Sequence, residues 1–196
     1  MRPSVRGGHL FLCHNPPPVA SPSPFSPLPV DGGDDRVAAP RHWLMKIEPD
    51  ECSIDDLARL PGQTVPWTGV RNYQARNFMR DAMRIGDGVL YYHSSCPAPG
   101  IAGLAEVASL AYPDATQFDA ASPSFDPKSS PSAPRWLNVD VRFVCRTRLL
   151  GLAELRRRPE LAGMPLLRPG NRLSITPVTL AEWQAVLALL GAPGSA

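Results

Sequence analysis

From His42 onward the chain alternates: Trp43, Met45 and Ile47 take turns with Leu44, Lys46 and Glu48, the period of a strand with one face in a core, until Pro49 stops it. "SIDDLARL" follows, with Ser53 placed as an N-cap and Asp56 three residues later, which predicts a short helix. "PGQTVPWTG" has neither period and predicts a loop. "NYQARNFMRDAM" then predicts one helix with Ala75, Phe78 and Ala82 inward, closed by the turn "IGDG". "VLYYHSS" and "GIAGLAEVASLAY" predict strands, the second interrupted at Gly103. Residues 113–134 hold five prolines among Ser and Asp and predict a long loop.

"WLNVDVRFVCR" is the cleanest alternation in the chain. Leu137, Val139, Val141, Phe143 and Cys145 fall on one face, against Trp136, Asn138, Asp140 and Arg142 on the other. "LAELRRRPEL" predicts a short helix, "NRLSITPV" a last strand, and "LAEWQAVLALLG" an amphipathic helix stopped by Gly191. Strands with irregularly placed helices, and no βαβ alternation, predict an α+β fold built on a small closed or half-closed β-barrel.

Composition changes this picture at the N-terminus. Nine of the 24 prolines lie in residues 1–40, which lack periodicity and are rich in Ser, Gly and Asp, so this segment is expected to be a disordered tail before a single domain over 41–192. A start of translation at Val30 or Val37 is the alternative to a translated tail. The net charge of +2 excludes a domain that grips nucleic acid through bulk charge alone. Cys13, Cys52, Cys96 and Cys145 are scattered without ligand spacing, so neither a metal, a cofactor nor a disulfide framework is expected. No apolar run suits a secretory signal or a membrane span, and the expected compartment is the cytoplasm.

No hydrolase elbow, phosphate-binding loop, dinucleotide fingerprint or zinc-protease motif occurs. His93 and Ser94 are neighbours on a strand and point to opposite faces, so the first cannot serve the second as a base. A catalyst is therefore not expected. What stands out is "WTGVRNYQARNF", a concentration of planar hydrogen-bonding and aromatic groups. Trp183 shares a stripe with Leu180, Leu187 and Leu190 and is expected in the core, as is Trp43; Trp136, on the polar face of its strand, is either a second exposed platform or, as expected, covered by the long loop. For Trp67, in a loop between Pro66 and Gly69, ligand contact and packing both stay open. Arg76, Arg80 and Arg84 recur every fourth residue, either as a solvated face or as a phosphate track.

The run "HWLMKIEPDECSIDDL", "WTGVRNYQARNFMRD", "GDGVLYYHS", "PGIAGLAEV", "AYPD", "PRWLNVDV", "MPLLRPGNRLSITPVT" and "EWQAVLAL" resembles the EVE domain family over about residues 42–191. The resemblance implies a PUA-like fold, a β-barrel of five to six strands flanked by short helices, and a module that holds a modified base of DNA or RNA, such as a methylated or hydroxymethylated cytosine. The family's patterns correspond here to Lys46, Trp67, Gly69, Val70, Arg71, Asn72, Tyr73, Gln74, Tyr92, His93, Ser94, Arg172 and Ser174. Two positions depart from it: Ile47 stands where Ser is usual, and Thr68 where an acidic residue is common.

An extruded base needs a flat apolar surface for its face and donors and acceptors for its edge. Trp67 and Tyr92 are expected to supply the surface. Asn72, Gln74, Ser94, His93 and the backbone around Gly69 are expected at the edge, with Arg71, Arg76, Arg80 and Arg84 on flanking phosphates. The competing classes are an enzyme acting on modified nucleic acid through His93, and a protein-interaction adaptor that uses the Pro-rich tail.

Overall fold

The computed structural model describes residues 41–191. The expectations for the Pro-rich tail, for the start of translation and for residue 192 lie outside them. Six strands form one mixed sheet, curled into a half-barrel, in the order β2-β7-β4-β3-β1-β8: β1 His42–Ile47, β2 Thr64–Pro66, β3 Gly88–His93, β4 Gly100–Val107, β7 Asp140–Gly151 and β8 Ile175–Val178. β5 Tyr112–Pro113 and β6 Leu137–Asn138 make a separate two-stranded ribbon. β1 and β3 run parallel, and every other neighbouring pair is antiparallel.

The alternation read along β1 and β3 divides the core in two. Trp43, Met45, Val89 and Tyr91 face one buried cluster, shared with Cys52, Ile54, Leu57, Trp67, Val70 and Ala75. Leu44, Leu90 and Tyr92 face the other, shared with Leu155, Leu161, Met164, Trp183 and Val186. Helices α1 Pro49–Cys52, α2 Ile54–Leu57 and α3 Tyr73–Asn77 contribute to the first cluster, and α4 Leu152–Arg156 and α5 Leu180–Leu190 to the second. Local chemistry sets the ends of these helices. Ser53 and Asp56 form a reciprocal capping box on α2, and Gly191 ends α5 in the left-handed conformation at φ 66°. Gly103 lets α2 lie directly on the sheet, because a Cβ there would stand 2.5 Å from Ile54 Cγ1 and 2.7 Å from the Cys145 carbonyl.

Three elements differ from the sequence reading. "NYQARNFMRDAM" is not one helix: α3 gives way to a π-helical turn over Phe78–Ala82. The long strand breaks at Val139, so Asn138, expected on the polar face, is 1% exposed, while Trp136, at 6%, lies under the long loop as expected. The ribbon with β5 and the folded 113–134 loop cover them. Residues 64–66, read as loop, pair along β7 as an edge strand. Among the described residues no helix is long and apolar enough to cross a membrane.

Candidate nucleic-acid interface

The loop Trp67 to Asn72 is built as a rigid object. The Trp67 N–H donates to the Val139 carbonyl at 2.8 Å, and its indole is 5% exposed, packed edge-on against Tyr91 with centroids 5.5 Å apart. Gly69 takes a positive φ of 77° and donates its N–H to Asp114 Oδ2 at 2.9 Å. Asp114 is fully buried, and it also accepts from Arg71 Nη1 at 2.8 Å and from the Thr116 N–H and hydroxyl at 2.9 and 2.7 Å. Burial pushes its carboxyl up, but the bonds from Arg71, Thr116 and Gly69 outweigh that and hold it below the usual carboxylate range. Sequence reading missed Asp114 as a functional support. Its local signal was the Asp-x-Thr turn that closes on its own side chain.

Arg71 has no donor left for a phosphate. Its Nε and Nη2 meet the Ser124 carbonyl, Nη2 reaches Thr116 Oγ1 at 2.9 Å, and Nη1 reaches Asp114 and the Val70 carbonyl. That uses all five N–H groups of a guanidinium. Asn72 caps α3, its Oδ1 accepting from the Gln74 and Ala75 N–H groups at 2.9 and 3.1 Å. Only its amide N–H groups remain for a ligand. Tyr73, 48% exposed, stacks on Trp136 at 4.9 Å and lies under the Arg76 guanidinium at 4.9 Å, while its hydroxyl meets Arg135. Gln74 is exposed, and Val70 is buried beneath the loop.

The second group gathers where β1 and β3 end. Lys46 lies opposite Tyr92 in register, and its N–H donates to the Ser174 carbonyl at 2.8 Å. Its amine is half-buried, and desolvation lowers its pKa. Ser94 donates both its N–H, at 2.8 Å, and its hydroxyl, at 3.2 Å, to the Ile47 carbonyl. His93 Nε2 accepts the Ile54 N–H at 3.1 Å, which leaves the proton on Nδ1. Burial lowers the His93 pKa against the opposing pull of Asp55 and Asp56. Arg172 is exposed two residues before Ser174.

These positions correct the expectation that Trp67 and Tyr92 together supply the surface for the base. Trp67 and Tyr92, 5% and 3% exposed, belong to the two different buried clusters on opposite faces of the sheet, and cannot hold one base between them. Tyr91, not Tyr92, points toward Trp67, because adjacent strand residues face opposite ways. The expected arginine track is corrected as well. The π-helical turn breaks the four-residue spacing, and Arg76 bonds Asn77 and the Arg135 carbonyl. Arg80 pairs with Asp81 at 2.7 Å, and Arg84 reaches the Met83 carbonyl. A cavity of about 440 Å³ lies at the other end of β1, lined by Arg41, His42, Trp43, Phe78, Pro177 and Leu180, and contains none of the expected site residues.

The EVE domain model matches residues 41–189, nearly the whole described chain. The chain belongs to the EVE domain family. This EVE domain is 46% identical over 165 residues to human thymocyte nuclear protein 1, covering 76% of this chain and 73% of that one. A Pseudomonas syringae protein of known structure is 49% identical, with a TM-score of 0.72, covering 76% of this chain and 98% of that one. The human THYN1 protein, solved in complex with 5-methylcytosine containing DNA, is 44% identical with a TM-score of 0.73, covering 79% of this chain and 99% of that one.

Proposed function

We propose that this EVE domain binds DNA carrying a modified cytosine and holds that base at the rim where β1 and β3 end beside the Trp67–Gly69 loop. The observation that carries the reading is the human relative's complex with 5-methylcytosine containing DNA, at the same fold and 44% identity. Ile47 and His93 are half-buried on the face that also holds Trp67, and the rings of Trp67, Tyr91 and His93 follow one another at 5.5 and 6.0 Å. In this reading Trp67 is the rigid wall behind the base rather than an open stacking surface. On that face the Asn72 amide and the carbonyls at Thr68 and Gly69 present a donor and acceptors for the base edge, while Lys46, Ser94 and Ser174 stand at the same strand ends on the Tyr92 side, toward the adjoining nucleotide.

Stacking on a ring supplies roughly 1 to 3 kcal/mol per base without selectivity. One buried methyl adds only about 0.8 kcal/mol, or roughly fourfold, so the modification is read weakly unless edge hydrogen bonds change with it. The reading includes no turnover. His93 is tied to the Ile54 N–H, and Ser94 is tied to Ile47, so neither is poised on the other.

Fluorescence anisotropy with duplexes and single strands carrying one 5-methylcytosine, their unmodified counterparts and the matching RNA tests the proposal. A preference of several-fold for the methylated DNA is expected. Equal affinity for modified and unmodified strands of every kind rejects base reading.

A further inference from the structure

Arginine is distributed unevenly along the chain. Between Arg142 and Arg172 there are eight arginines against Glu154 and Glu160, although the net charge of the protein is only +2. Three of the eight already meet carboxylates: Arg142 with Glu106 at 2.5 Å, Arg146 with Asp55 at 3.3 Å and Arg148 with Glu154 at 2.8 Å. Arg156, Arg157, Arg168 and Arg172 are exposed, and none of them forms an ion pair among the described residues.

The fold presents these four from one cap. Leu155, Leu161, Met164 and Leu166 bury the inner side of residues 152–173 in the cluster that contains Leu44 and Tyr92. α4 touches both following turns, Pro159–Leu161 and Pro165–Leu167, and the second of these touches β8. With the leucines and methionine inside, the arginines are left to solvent. The cap also borders the strand ends: Arg172 stands two residues before Ser174, whose carbonyl holds the Lys46 N–H at 2.8 Å. Arg156 acts on the Tyr92 hydroxyl, opposing the rise in pKa that burial and Cys96 cause there.

We propose that this cap grips the phosphate backbone of the nucleic acid, with Arg156, Arg157 and Arg168 on phosphates flanking the base held at the strand ends. An exposed guanidinium without a carboxylate partner gives its planar fork to phosphate oxygens at little cost, Arg168 having only one long bond, 3.4 Å to the Gly163 carbonyl, to give up, whereas Arg71, Arg76 and Arg80 would first have to break several shorter ones. The cap therefore fixes position and register, and the strand ends supply the base contacts. This assignment rests on the base-reading function.

The test is the salt dependence of binding, by anisotropy, of methylated and unmodified strands to the wild type and to the variant Arg156→Gln/Arg157→Gln/Arg168→Gln. Each lost phosphate contact lowers the slope of log K against log salt by about 0.9 on duplex or about 0.7 on single strand. The slope of the triple variant is expected to fall by roughly two to three for both strands, with their affinity ratio kept. Arg157→Gln/Arg168→Gln is the reserve should the triple variant lose its folded circular dichroism spectrum. An unchanged slope overturns the cap assignment, as does a fall in slope for Arg80→Gln/Arg84→Gln in place of the cap variant. A wild type that binds both strands equally overturns base reading instead, while the slopes still decide where phosphate is held. A wild type that binds neither strand overturns both.

Discussion

Replacing Asp114 with Ala removes the anchor of the Trp67–Asn72 loop while leaving every expected base contact in place. The buried carboxylate takes four hydrogen bonds, from Gly69, Arg71 and twice from Thr116. Breaking a buried pair by deleting one partner costs about 3–5 kcal/mol, since the other charge is stranded. Here the lower end applies, about 3 kcal/mol, because the Arg71 side chain is 23% exposed and keeps the Ser124 carbonyl. A domain of this size loses about 2–4 °C of melting temperature per kcal/mol, so Asp114→Ala should melt about 6–12 °C below the wild type at pH 7. The carboxyl titrates lower in the folded state than its unfolded value of about 3.9. Its stabilisation is therefore complete above that unfolded value and is lost as pH falls through the folded one, so the gap between wild type and variant should close below about pH 4. Circular dichroism melts from pH 7 to 3 measure this, and a double-mutant cycle with Arg71→Met should give a coupling of about 0.5–3 kcal/mol, the double variant costing less than the sum. A melting change under about 2 °C, a gap that stays constant in acid, or strictly additive single effects would each refute the reasoning.

Gly103→Ala forces a methyl against Ile54 and the Cys145 carbonyl and should cost about 1–3 kcal/mol, read as a lower urea midpoint; a wild-type midpoint means that α2 does not sit where described. Trp67→Ala should destabilise the domain by about 3–5 kcal/mol together with its loss of DNA binding, whereas lost binding at unchanged stability would make Trp67 an exposed platform after all. The His93 imidazole titrates below its ordinary value because burial disfavours its charge, so the stabilisation from His93 is present above about pH 6.5 and declines as the folded-state pKa is approached in acid. Urea unfolding of His93→Gln at pH 7.5 and 5.5 should show its deficit against wild type shrinking at the lower pH. Subtracting the variant cancels His42, which shifts the same way, and a deficit that grows in acid contradicts the bond from Ile54.

What was legible in the sequence is what neighbours along the chain decide. The strands β1 and β3, the Ser53–Asp56 box and the Gly191 stop each follow from residues within a few positions, and all are present. The sequence singles out the residues of the candidate site but not their arrangement. Trp67 looked exposed because nothing near it could pack on it, yet its cover comes from Tyr91 and its N–H partner is Val139. Arg71 looked available, yet its acceptors are Asp114 and Ser124, more than forty positions away. Asn138 shows the same limit, because the faces of its predicted strand were read correctly only beyond the break at Val139.

Charge was the least legible property, since a sequence counts arginines but cannot say which are already paired. The evenly spaced Arg76, Arg80 and Arg84 drew attention as a stripe, and each turns out to bond within its own neighbourhood. The run Arg156, Arg157 and Arg158 has no periodicity and drew none, although two of the three are exposed without a carboxylate. Pairing is settled by which acids the fold brings near. The excess of arginine over acid between residues 142 and 172 is a fact of the chain, but only the burial of Leu155, Leu161 and Met164 turns it outward beside the strand ends. A small net charge is therefore compatible with a strong local grip, provided that the acids lie elsewhere on the surface, as Asp50, Asp81 and Asp119 do.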